Sequence, residues 1–451
     1  MDRFEKSVSD EITQLYKMLQ IGSIKKREHA ENEVDTEGRS EYARDYARIL
    51  YSSSFRRLQG KMQILGIEST AFYRNRLTHS LEVSQIARSL ARIISWKCNK
   101  EKEMYSEEEL YLLDAAALAH DIGHPAFGHK GERVLDEISQ LYGRRFEGNA
   151  QNYRVLRKLD RHGSNEGLNL TYRTLLAINK YITDEKSENG NTPKKFMYHE
   201  DFEFLNKFRE NNSIKKRTLD VQIIEIADDI AYAVHDLEDG LSQGLFTIDE
   251  LSHEIKAFND ANGKIITEDR EAAYTLFDGI VKGIKEELKE PVVITTIQEY
   301  SHLFRKKLTS KLTDNFVRSI TFDNNKSEVD MDKSHKALCS ILTKIIFKGV
   351  TRNSNIALYE LKGEIVIKSL FNIYVDKKIN KDYLLLPPDY RPEEKATNEQ
   401  AAQCAIDYIA GMMDTFAISE FERLTGKDYN NIDVSIIPKI PRHIPIKKKV
   451  K

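Results

Sequence analysis

The stretch ELYLLDAAALAHDIGHPAFGHKGE (residues 109–132) decides the fold that we predict for this chain. Its first half is apolar on nearly every side of a helix, which is typical of a helix buried inside a larger helical protein. The helix ends in the pair His120-Asp121, and Gly and Pro then interrupt it before a second helix, which we predict from about Lys130. An imidazole and a carboxylate at the end of a buried helix indicate a site, because such groups resist burial unless they are paired or bind a metal.

The composition favours an all-α protein without disulfides. Among 451 residues there are 9 Pro and 21 Gly, well under the usual share of about 12%, and the 3 Cys form no CxxC pair. The net charge of −2 excludes a strongly basic nucleic-acid-binding protein, so any polyanion site must be a local patch. No apolar run is long enough for a membrane span and the N-terminus lacks the pattern of a signal peptide. We therefore expect a soluble, cytoplasmic protein with no membrane partner.

Three regions are predicted along the chain. Residues 1–40 comprise an amphipathic helix (1–20) and a polar loop or mobile segment (21–40). Residues 41–300 form a helical catalytic domain, in which 183–217 is predicted to be an exposed loop or flap. Residues 301–451 form a helical C-terminal accessory region with a basic tail, including one helix over 364–375 and one over 400–424.

A metal site is predicted from two imidazoles and two carboxylates. His120 and Asp121 can both turn towards one ion at a helix end, and His79 can add another imidazole. Asp228 lies in the otherwise apolar segment IADDIAYAVHDLEDG (226–240) and is the candidate second carboxylate. Imidazole and carboxylate ligands suit Mn, Fe or Co and tolerate Mg, whereas the lack of thiolates argues against a structural zinc.

Two further polar residues follow Asp228 on the same helix. Tyr232 and Asp236 stand at i+4 and i+8, so all three share one face. A polar stripe in an apolar helix indicates a ligand site, but a hydrogen-bonded network within the core gives the same pattern.

The chain resembles the HD-domain phosphohydrolases. The segments NRLTHSLEV (75–83), AHDIGHPAFGHKGE (119–132) and IADDIAYAVHDLEDG (226–240) match, in order, the H…HD…D pattern of that superfamily. More narrowly, the chain is similar to the deoxyguanosinetriphosphate triphosphohydrolase family through FRRLQGKMQIL (55–65), GNAQ (148–151), GLNLTY (167–172) and DYIAGMMD (407–414). That family often has Arg where Gln403 precedes the last segment, and the segment usually ends in Thr-Asp rather than Met413-Asp414.

The resemblance implies an all-α HD-domain bundle with one divalent metal ion (Mn, Mg, Fe or Co) per subunit, assembled as a homo-oligomer, often a hexamer. It implies hydrolysis of deoxynucleoside triphosphates, with dGTP favoured, to the deoxynucleoside and tripolyphosphate, and so a role in control of dNTP pools. Some members of the family are controlled by single-stranded DNA or by a second nucleotide, so an allosteric effector of one of these kinds is also implied.

The resemblance also assigns roles to individual residues. His79, His120, Asp121 and Asp228 would hold the metal, as the pattern of residues already predicts. His129 and Glu132 would form an acid–base pair, and His124 would support the α-phosphate. On the sugar side, Tyr232 would pack against the deoxyribose, Asp236 and Gln63 would bind the 3′-hydroxyl, and Ile64 would lie beside Gln63. The phosphates would be bound by cations and amides: Arg76, Lys180, Lys195, Asn149 and Asn169.

Two other functions remain open at this point. An HD phosphohydrolase acting on nucleoside monophosphates or cyclic nucleotides would use the same metal ligands. A nucleotide-binding or single-stranded-DNA-binding regulator with little catalysis would use the basic tail. Release of tripolyphosphate distinguishes the predicted reaction from both.

Overall fold

The computed structural model describes residues 3–31, 38–63, 74–98, 104–161, 167–186, 193–260, 265–289, 296–323 and 328–440. These residues form an all-α structure with one small antiparallel pair of strands, which confirms the predicted fold class. Among the described helices, none combines the length and the apolar character needed to cross a bilayer.

Seventeen α-helices lie in the described part of the chain. Their bounds are α1 Arg3–Lys17, α2 Glu41–Tyr51, α3 Ser53–Arg57, α4 Arg76–Cys98, α5 Glu107–Ala119, α6 Gly128–Leu141, α7 Gly148–Arg154, α8 Tyr172–Ile178, α9 His199–Asn211, α10 Leu219–Ser242, α11 Ile248–Ala257, α12 Thr267–Glu287, α13 Ile297–Arg318, α14 Lys333–Thr351, α15 Ser354–Val375, α16 Asn398–Ala410 and α17 Asp414–Thr425. The strands are β1 Ile320–Asp323 and β2 Glu328–Met331, with Ile320 opposite Met331.

The helices that carry the predicted site are buried, as their composition indicates. Ser106 caps α5 in a capping box with Glu109, and every residue from Leu112 to Ala119 is buried. Thr218 caps α10, whose 24 residues include the whole stretch 221–237. An apolar helix of this kind gains its stability from contact with neighbours on several sides.

Two hydrophobic clusters organise the packing. The first joins α1–α5, α8 and α10–α14, and the second joins α6 with α15, α16 and α17. The helices α13 and α14 lie beyond residue 300 yet pack in the first cluster, whereas α6 belongs to the second. The packing therefore crosses the predicted boundary at residue 300, and the division into three regions stays a prediction.

The segment 21–31 lies in the predicted loop or mobile segment, and it has no α-helix or strand but packs against the helices. It contains a 3₁₀ turn from Gly22 to Lys25, and Ile24 is only 1% exposed. Arg27 is held by Asp45 at 2.5 Å and by Glu41 at 2.7 Å. The polar composition reflects this ion-pair network rather than exposure to solvent; residues 32–37 lie outside the described part of the chain.

Two helix boundaries also differ from the predictions. The region 183–217 is not only loop, because α9 lies within it and buries Leu205, while Phe208 stacks on Tyr172 with ring centroids 3.9 Å apart. The stretch 400–424 is two helices rather than one. The chain turns between Ala410 and Asp414, where α17 begins.

Candidate active site

A cavity of about 300 Å³ lies where the two hydrophobic clusters meet. The helices α4, α5 and α10 form one wall, and α6 with the junction of α14 and α15 forms the other. Pockets of this volume are within the range that binds small ligands. The cavity is lined by most of the predicted site residues: Gln63, Arg76, His79, His120, Asp121, His124, His129, Asn149, Lys180, Lys195, Asp228 and Tyr232.

Three of the four predicted metal ligands come together at the base of this cavity. One ligand atom each from His79, His120 and Asp228 lies within 4.8 Å of the others. Nε2 of His79 is 3.0 Å from Oδ1 of Asp228, and Nε2 of His120 is 3.5 Å from the same oxygen. Nδ1 of His120 donates to the carbonyl of Ala117 at 2.6 Å, so its Nε2 is the ring nitrogen with a lone pair for a ligand. That nitrogen is buried and has no hydrogen-bond partner among the described residues.

The electrostatics of the three residues favour a cation. Burial by itself lowers the pKa of His120, but the carboxylates of Asp121 and Asp228 outweigh burial and raise that pKa to about 9. Burial also opposes ionisation of Asp228, yet His120, His79 and Lys180 hold its pKa well below the usual value. Both carboxylates are therefore ionised at neutral pH, and the charge that holds a proton on His120 is the charge that would attract a metal ion.

Asp121 differs from the other three predicted ligands in its contacts. Its Oδ2 forms an ion pair with Arg76 at 2.5 Å, and its Oδ1 is 3.0 Å from Nδ1 of His124. Oδ1 is also 3.7 Å from Nε2 of His120. The carboxylate thus links the candidate metal ligands to a cation and to a second imidazole. Its role as a ligand stays a prediction.

The predicted acid–base pair is present at the rim of the cavity. Nδ1 of His129 is 3.2 Å from Oε2 of Glu132, and the other Glu132 oxygen accepts from the backbone N–H of Gly148 at 3.0 Å. Burial opposes ionisation of Glu132, but His129, His124 and Lys195 hold its pKa well below the usual range. The side chain of His129 is 60% exposed, so its Nε2 can exchange protons with solvent or with a ligand in the cavity.

The predicted phosphate-side residues divide into two groups. Arg76, Lys180, Lys195 and Asn149 line the cavity. Nζ of Lys195 is 2.6 Å from Glu147 and 3.6 Å from Glu132, which places it beside the predicted acid–base pair. Nζ of Lys180 is 3.7 Å from Asp228, a candidate metal ligand. Asn169 is not brought to the cavity. Its amide is 5% exposed and bonds to the backbone of His29, which keeps it on the N-terminal segment, and a phosphate contact stays a prediction.

The predicted sugar-side residues are also divided. Tyr232 and Gln63 line the cavity, whereas Asp236 does not and is only 1% exposed. Neither carboxylate oxygen of Asp236 has a partner among the described residues, and burial raises its pKa well above the usual value. Asp236 is therefore a buried acid, one turn along α10 from Tyr232, whose environment disfavours the ionised form. Its contact with a 3′-hydroxyl stays a prediction, and Ile64 lies outside the described residues.

The structure adds a set of lining residues that the sequence analysis did not single out. Phe347 and Ile356 contribute apolar surface from α14 and α15, and Glu360 lies 3.6 Å from Arg133 of α6 across the cavity. These residues follow the metal motifs by more than a hundred positions and carry no local pattern that marks a site. Helix packing alone brings them to the cavity.

Comparisons with known proteins agree with this site. Residues 76–233 match the HD domain, which spans every candidate metal ligand, and residues 329–423 match the phosphohydrolase-associated domain. Deoxyguanosinetriphosphate triphosphohydrolase-like protein 2 of Vibrio cholerae serotype O1 is 40% identical over 90% of this chain and 94% of its own length. The deoxyguanosinetriphosphate triphosphohydrolase-like protein of Shewanella sp. strain ANA-3 is 31% identical over 91% of this chain and 98% of its own length. That of Shewanella oneidensis is also 31% identical, over 88% of this chain and 96% of its own length. Taken with the site geometry, these matches show that the chain belongs to the deoxyguanosinetriphosphate triphosphohydrolase-like family of HD-domain proteins.

Proposed function

We propose that this protein hydrolyses deoxynucleoside triphosphates, with dGTP favoured, to the deoxynucleoside and tripolyphosphate. The observation that carries the proposal is that the His79, His120 and Asp228 trio opens into the same cavity as Arg76, Lys180 and Lys195. A triphosphate is a compact polyanion, and a cavity that combines a metal site with fixed cations suits it. In the proposed reaction a water oxygen joins the α-phosphorus, the bond to O5′ breaks, and O5′ takes up a proton.

The residues fit one divalent metal ion per subunit, with Mn, Mg, Fe or Co as the candidates. The unpartnered Nε2 of His120, the imidazole of His79 and the ionised Asp228 form an N/O donor set that suits such ions. When bound, the ion would neutralise charge on a phosphate oxygen and lower the pKa of a bound water.

The protein's own side chains would move the proton and hold the phosphates. Glu132 is fixed by the Gly148 amide and keeps Nδ1 of His129 occupied, so Nε2 is the nitrogen available for proton transfer. Arg76, already oriented by Asp121, would donate to a phosphate oxygen with its remaining N–H groups. Lys180 lies 3.7 Å from each of Glu225 and Asp228, too long for a hydrogen bond, and therefore keeps protons for the substrate.

A preference for dGTP is supported by Glu360. A carboxylate can accept hydrogen bonds from both the N1–H and the exocyclic amine of guanine, whereas adenine does not present that pair of donors. Arg133, whose Nη2 is 3.6 Å from Oε2 of Glu360, would hold this carboxylate in place at the cavity. Phe347, which is 50% exposed at the cavity, would offer a face for a base to stack on.

The remaining parts of the proposal concern assembly and control. By family resemblance we propose that the protein is a cytoplasmic homo-oligomer, with a hexamer as the first candidate. We also propose that single-stranded DNA or a second nucleotide is its allosteric effector and that it controls dNTP pools. Light scattering coupled to size-exclusion chromatography, with and without dNTPs and DNA, measures the assembly and its response.

The reaction is tested by product analysis. Purified protein with Mn²⁺ is incubated with each of the four dNTPs, singly and mixed because an effector nucleotide can be required, and the products are resolved by ion-exchange chromatography. We expect deoxyguanosine and tripolyphosphate in equal amounts. Orthophosphate or pyrophosphate as the only primary product would contradict the proposed reaction, and hydrolysis confined to monophosphates or cyclic nucleotides would support the broader HD activity instead.

A matched pair of histidine variants connects the activity to the site. His120→Ala should lose both Mn²⁺ binding and turnover, because it removes one of the candidate ligands and leaves the site incomplete. His253→Ala changes an exposed histidine on α11, outside the cavity, and should leave both unchanged.

A further inference from the structure

Two motifs from opposite ends of the chain pack directly on each other beneath the candidate active site. These are FRRLQGKMQ (55–63) and DYIAGMMD (407–414), to which the proposed function gives no role apart from the predicted sugar contact of Gln63. A Cβ at Gly60 would lie 2.6 Å from Sδ of Met413, so the backbone at Gly60 packs directly on the Met413 side chain. The first motif leads into the cavity through Met62 and Gln63, and the second contains the turn between α16 and α17.

Lys61 joins this turn to the loop that follows the His-Asp pair. Its side chain is 1% exposed, and its Nζ donates to the carbonyl of His124 at 2.5 Å and to the carbonyl of Ala410 at 3.0 Å. Its own carbonyl accepts from the backbone N–H of Arg76 at 3.2 Å. Among the described salt bridges, none joins a carboxylate to this Nζ. Burial lowers the pKa of Lys61 to about 7, and its N–H groups donate to both carbonyls whether the side chain is an amine or an ammonium. These two contacts specify the position of the His124 loop.

Asp414 makes the complementary contacts with the N–H groups of the same segments. It is fully buried; its Oδ1 accepts from the backbone N–H of Phe127 at 3.0 Å, and its Oδ2 accepts from that of Met62 at 3.0 Å and from the hydroxyl of Tyr359 at 2.9 Å. Phe127 has the left-handed φ of 61° and immediately precedes α6, which carries His129. A non-glycine residue in that conformation is strained and needs contacts that hold it.

We propose that Lys61 and Asp414 act as a clasp of positioning residues, through which the turn between α16 and α17 sets the placement of His124 and His129 for the reaction. The inference rests on the proposed function, since it concerns the same site. The clasp holds the loop 124–128 by a carbonyl at one end and by an amide at the other, and it holds Met62 on the facing wall. None of the trio His79, His120 and Asp228 lies on the clasped segments, so the clasp should affect turnover rather than metal binding.

The test uses an isosteric substitution with a matched control on the same helix. Asp414→Asn replaces one acceptor oxygen by an NH₂ group, so one of the two backbone contacts, to Met62 or to Phe127, must be lost. Glu420→Gln makes the same change at a buried carboxylate of α17 that bonds to Tyr374 and Arg423, away from the cavity. In the metal-loaded protein, Asp414→Asn should lower kcat for dGTP by about 10- to 100-fold, the range expected for a displacement on the order of 1 Å, with the KM and the Mn²⁺ affinity changed by less than about threefold. Glu420→Gln should leave kcat unchanged.

A purely structural role predicts a different pattern. The melting temperature, the Mn²⁺ affinity and the fraction of active protein would then fall together in both variants, while kcat per metal-loaded subunit would stay at the wild-type value; this result would overturn the clasp. If Asp414→Asn does not fold, Lys61→Met takes its place, since it keeps the length and apolar stem of the side chain and removes only the donors to His124 and Ala410.

A measurement without substrate separates this inference from the proposed function. Amide hydrogen exchange of peptides that contain Met62 and Phe127 should speed up in Asp414→Asn and not in Glu420→Gln. Unchanged exchange in a folded Asp414→Asn protein would reject the clasp even if dGTP is the substrate. Conversely, absence of dNTP turnover in the wild-type protein would reject the proposed function, while faster exchange in the variant would still support the clasp.

Discussion

The protonation of His120 should make metal binding to the apo-protein strongly dependent on pH. Asp121 and Asp228 outweigh burial and raise the pKa of His120 to about 9, so at neutral pH the apo-protein carries a proton on this imidazole. Nδ1 of the ring is already bonded to the carbonyl of Ala117, and the proton therefore occupies the Nε2 that the metal would use. A metal ion must displace this proton before it binds.

The magnitude follows from the pKa of about 9. For each pH unit below that value, competition from one proton weakens the apparent affinity about tenfold, or about 1.4 kcal/mol. Between about pH 7 and about pH 8.5 the dissociation constant for Mn²⁺ should therefore fall about 30-fold, with about one proton released per ion bound.

Isothermal titration calorimetry measures both quantities. Mn²⁺ titrations in two buffers of different ionisation enthalpy give the dissociation constant and the number of protons released at each pH. An affinity that does not change with pH, together with no proton release, would refute the reasoning, because His120 would then be neutral or would not be a ligand.

In the absence of metal, the free energy of unfolding should fall as the pH rises, whereas the affinity for Mn²⁺ rises. The pKa of His120 is raised on folding, so its contribution to the free energy of unfolding is fully present below the ordinary value of about 6.5 and is lost as the pH rises through about 9. The limit of this contribution is about 3 kcal/mol, an order-of-magnitude figure. The melting temperature of EDTA-treated protein should fall over that range, while the increase in melting temperature caused by Mn²⁺ should grow.

A variant pair isolates the source of the effect. Asp121→Asn removes the charge that raises the pKa of His120 most and should flatten the pH dependence of Mn²⁺ affinity. If Mn²⁺ binding near about pH 8.5 survives this change, Asp121 acts through Arg76 and His124 rather than as a ligand. Asp114→Asn alters a buried carboxylate of the same helix, paired with Arg88 away from the cavity, and should leave the pH dependence as in the wild type.

Three further substitutions test the catalytic and sugar-side residues. His129→Ala should keep Mn²⁺ binding and lower kcat by about 10²- to 10⁴-fold, and wild-type turnover would remove His129 from the mechanism. Tyr232→Ala should reduce the preference for dGTP over GTP, because the ring would no longer exclude a 2′-hydroxyl. If the variant has a lower melting temperature but the same ratio of kcat/KM for dGTP to kcat/KM for GTP, Tyr232 is a packing residue. Asp236→Ala should lower kcat/KM for dGTP by about one to two orders of magnitude, whereas unchanged kinetics with a higher melting temperature would identify Asp236 as an unpaired buried acid without a substrate contact.

The strongest predictions from the sequence concern polar residues inside apolar helices. His120 and Asp228 were identifiable because the stretches that lead up to them, 110–119 and 221–227, are rich in apolar residues, and helices of that composition are typically buried. The structure brings both residues to one cavity with His79. Local composition is sufficient here because a charged group in a buried helix is unfavourable unless it has a partner, whichever segment supplies that partner.

The prediction that 183–217 is an exposed loop or flap failed, because α9 lies within it. Polar composition also gave no sign that Arg27, in a charged loop, is buried against Asp45 and Glu41. Charged residues can be buried when partners distant in sequence neutralise them, and these partners cannot be identified from the sequence of the segment alone. The pairs Phe202 and Leu205, and Leu205 and Phe208, at i+3 on α9, were a helical signal that the polar average concealed.

Composition and local spacing were sufficient to predict the all-α class, the burial of α5 and α10 and the metal-binding candidates, because each of these depends on residues close together in the chain. Helix packing, in contrast, brings Glu360 and Phe347 to the cavity, keeps Asn169 and Asp236 out of its lining, and places Lys61 against the turn before Asp414. Residues hundreds of positions apart become neighbours through the way whole helices pack, and that arrangement is a property of all the buried surfaces together rather than of any one segment.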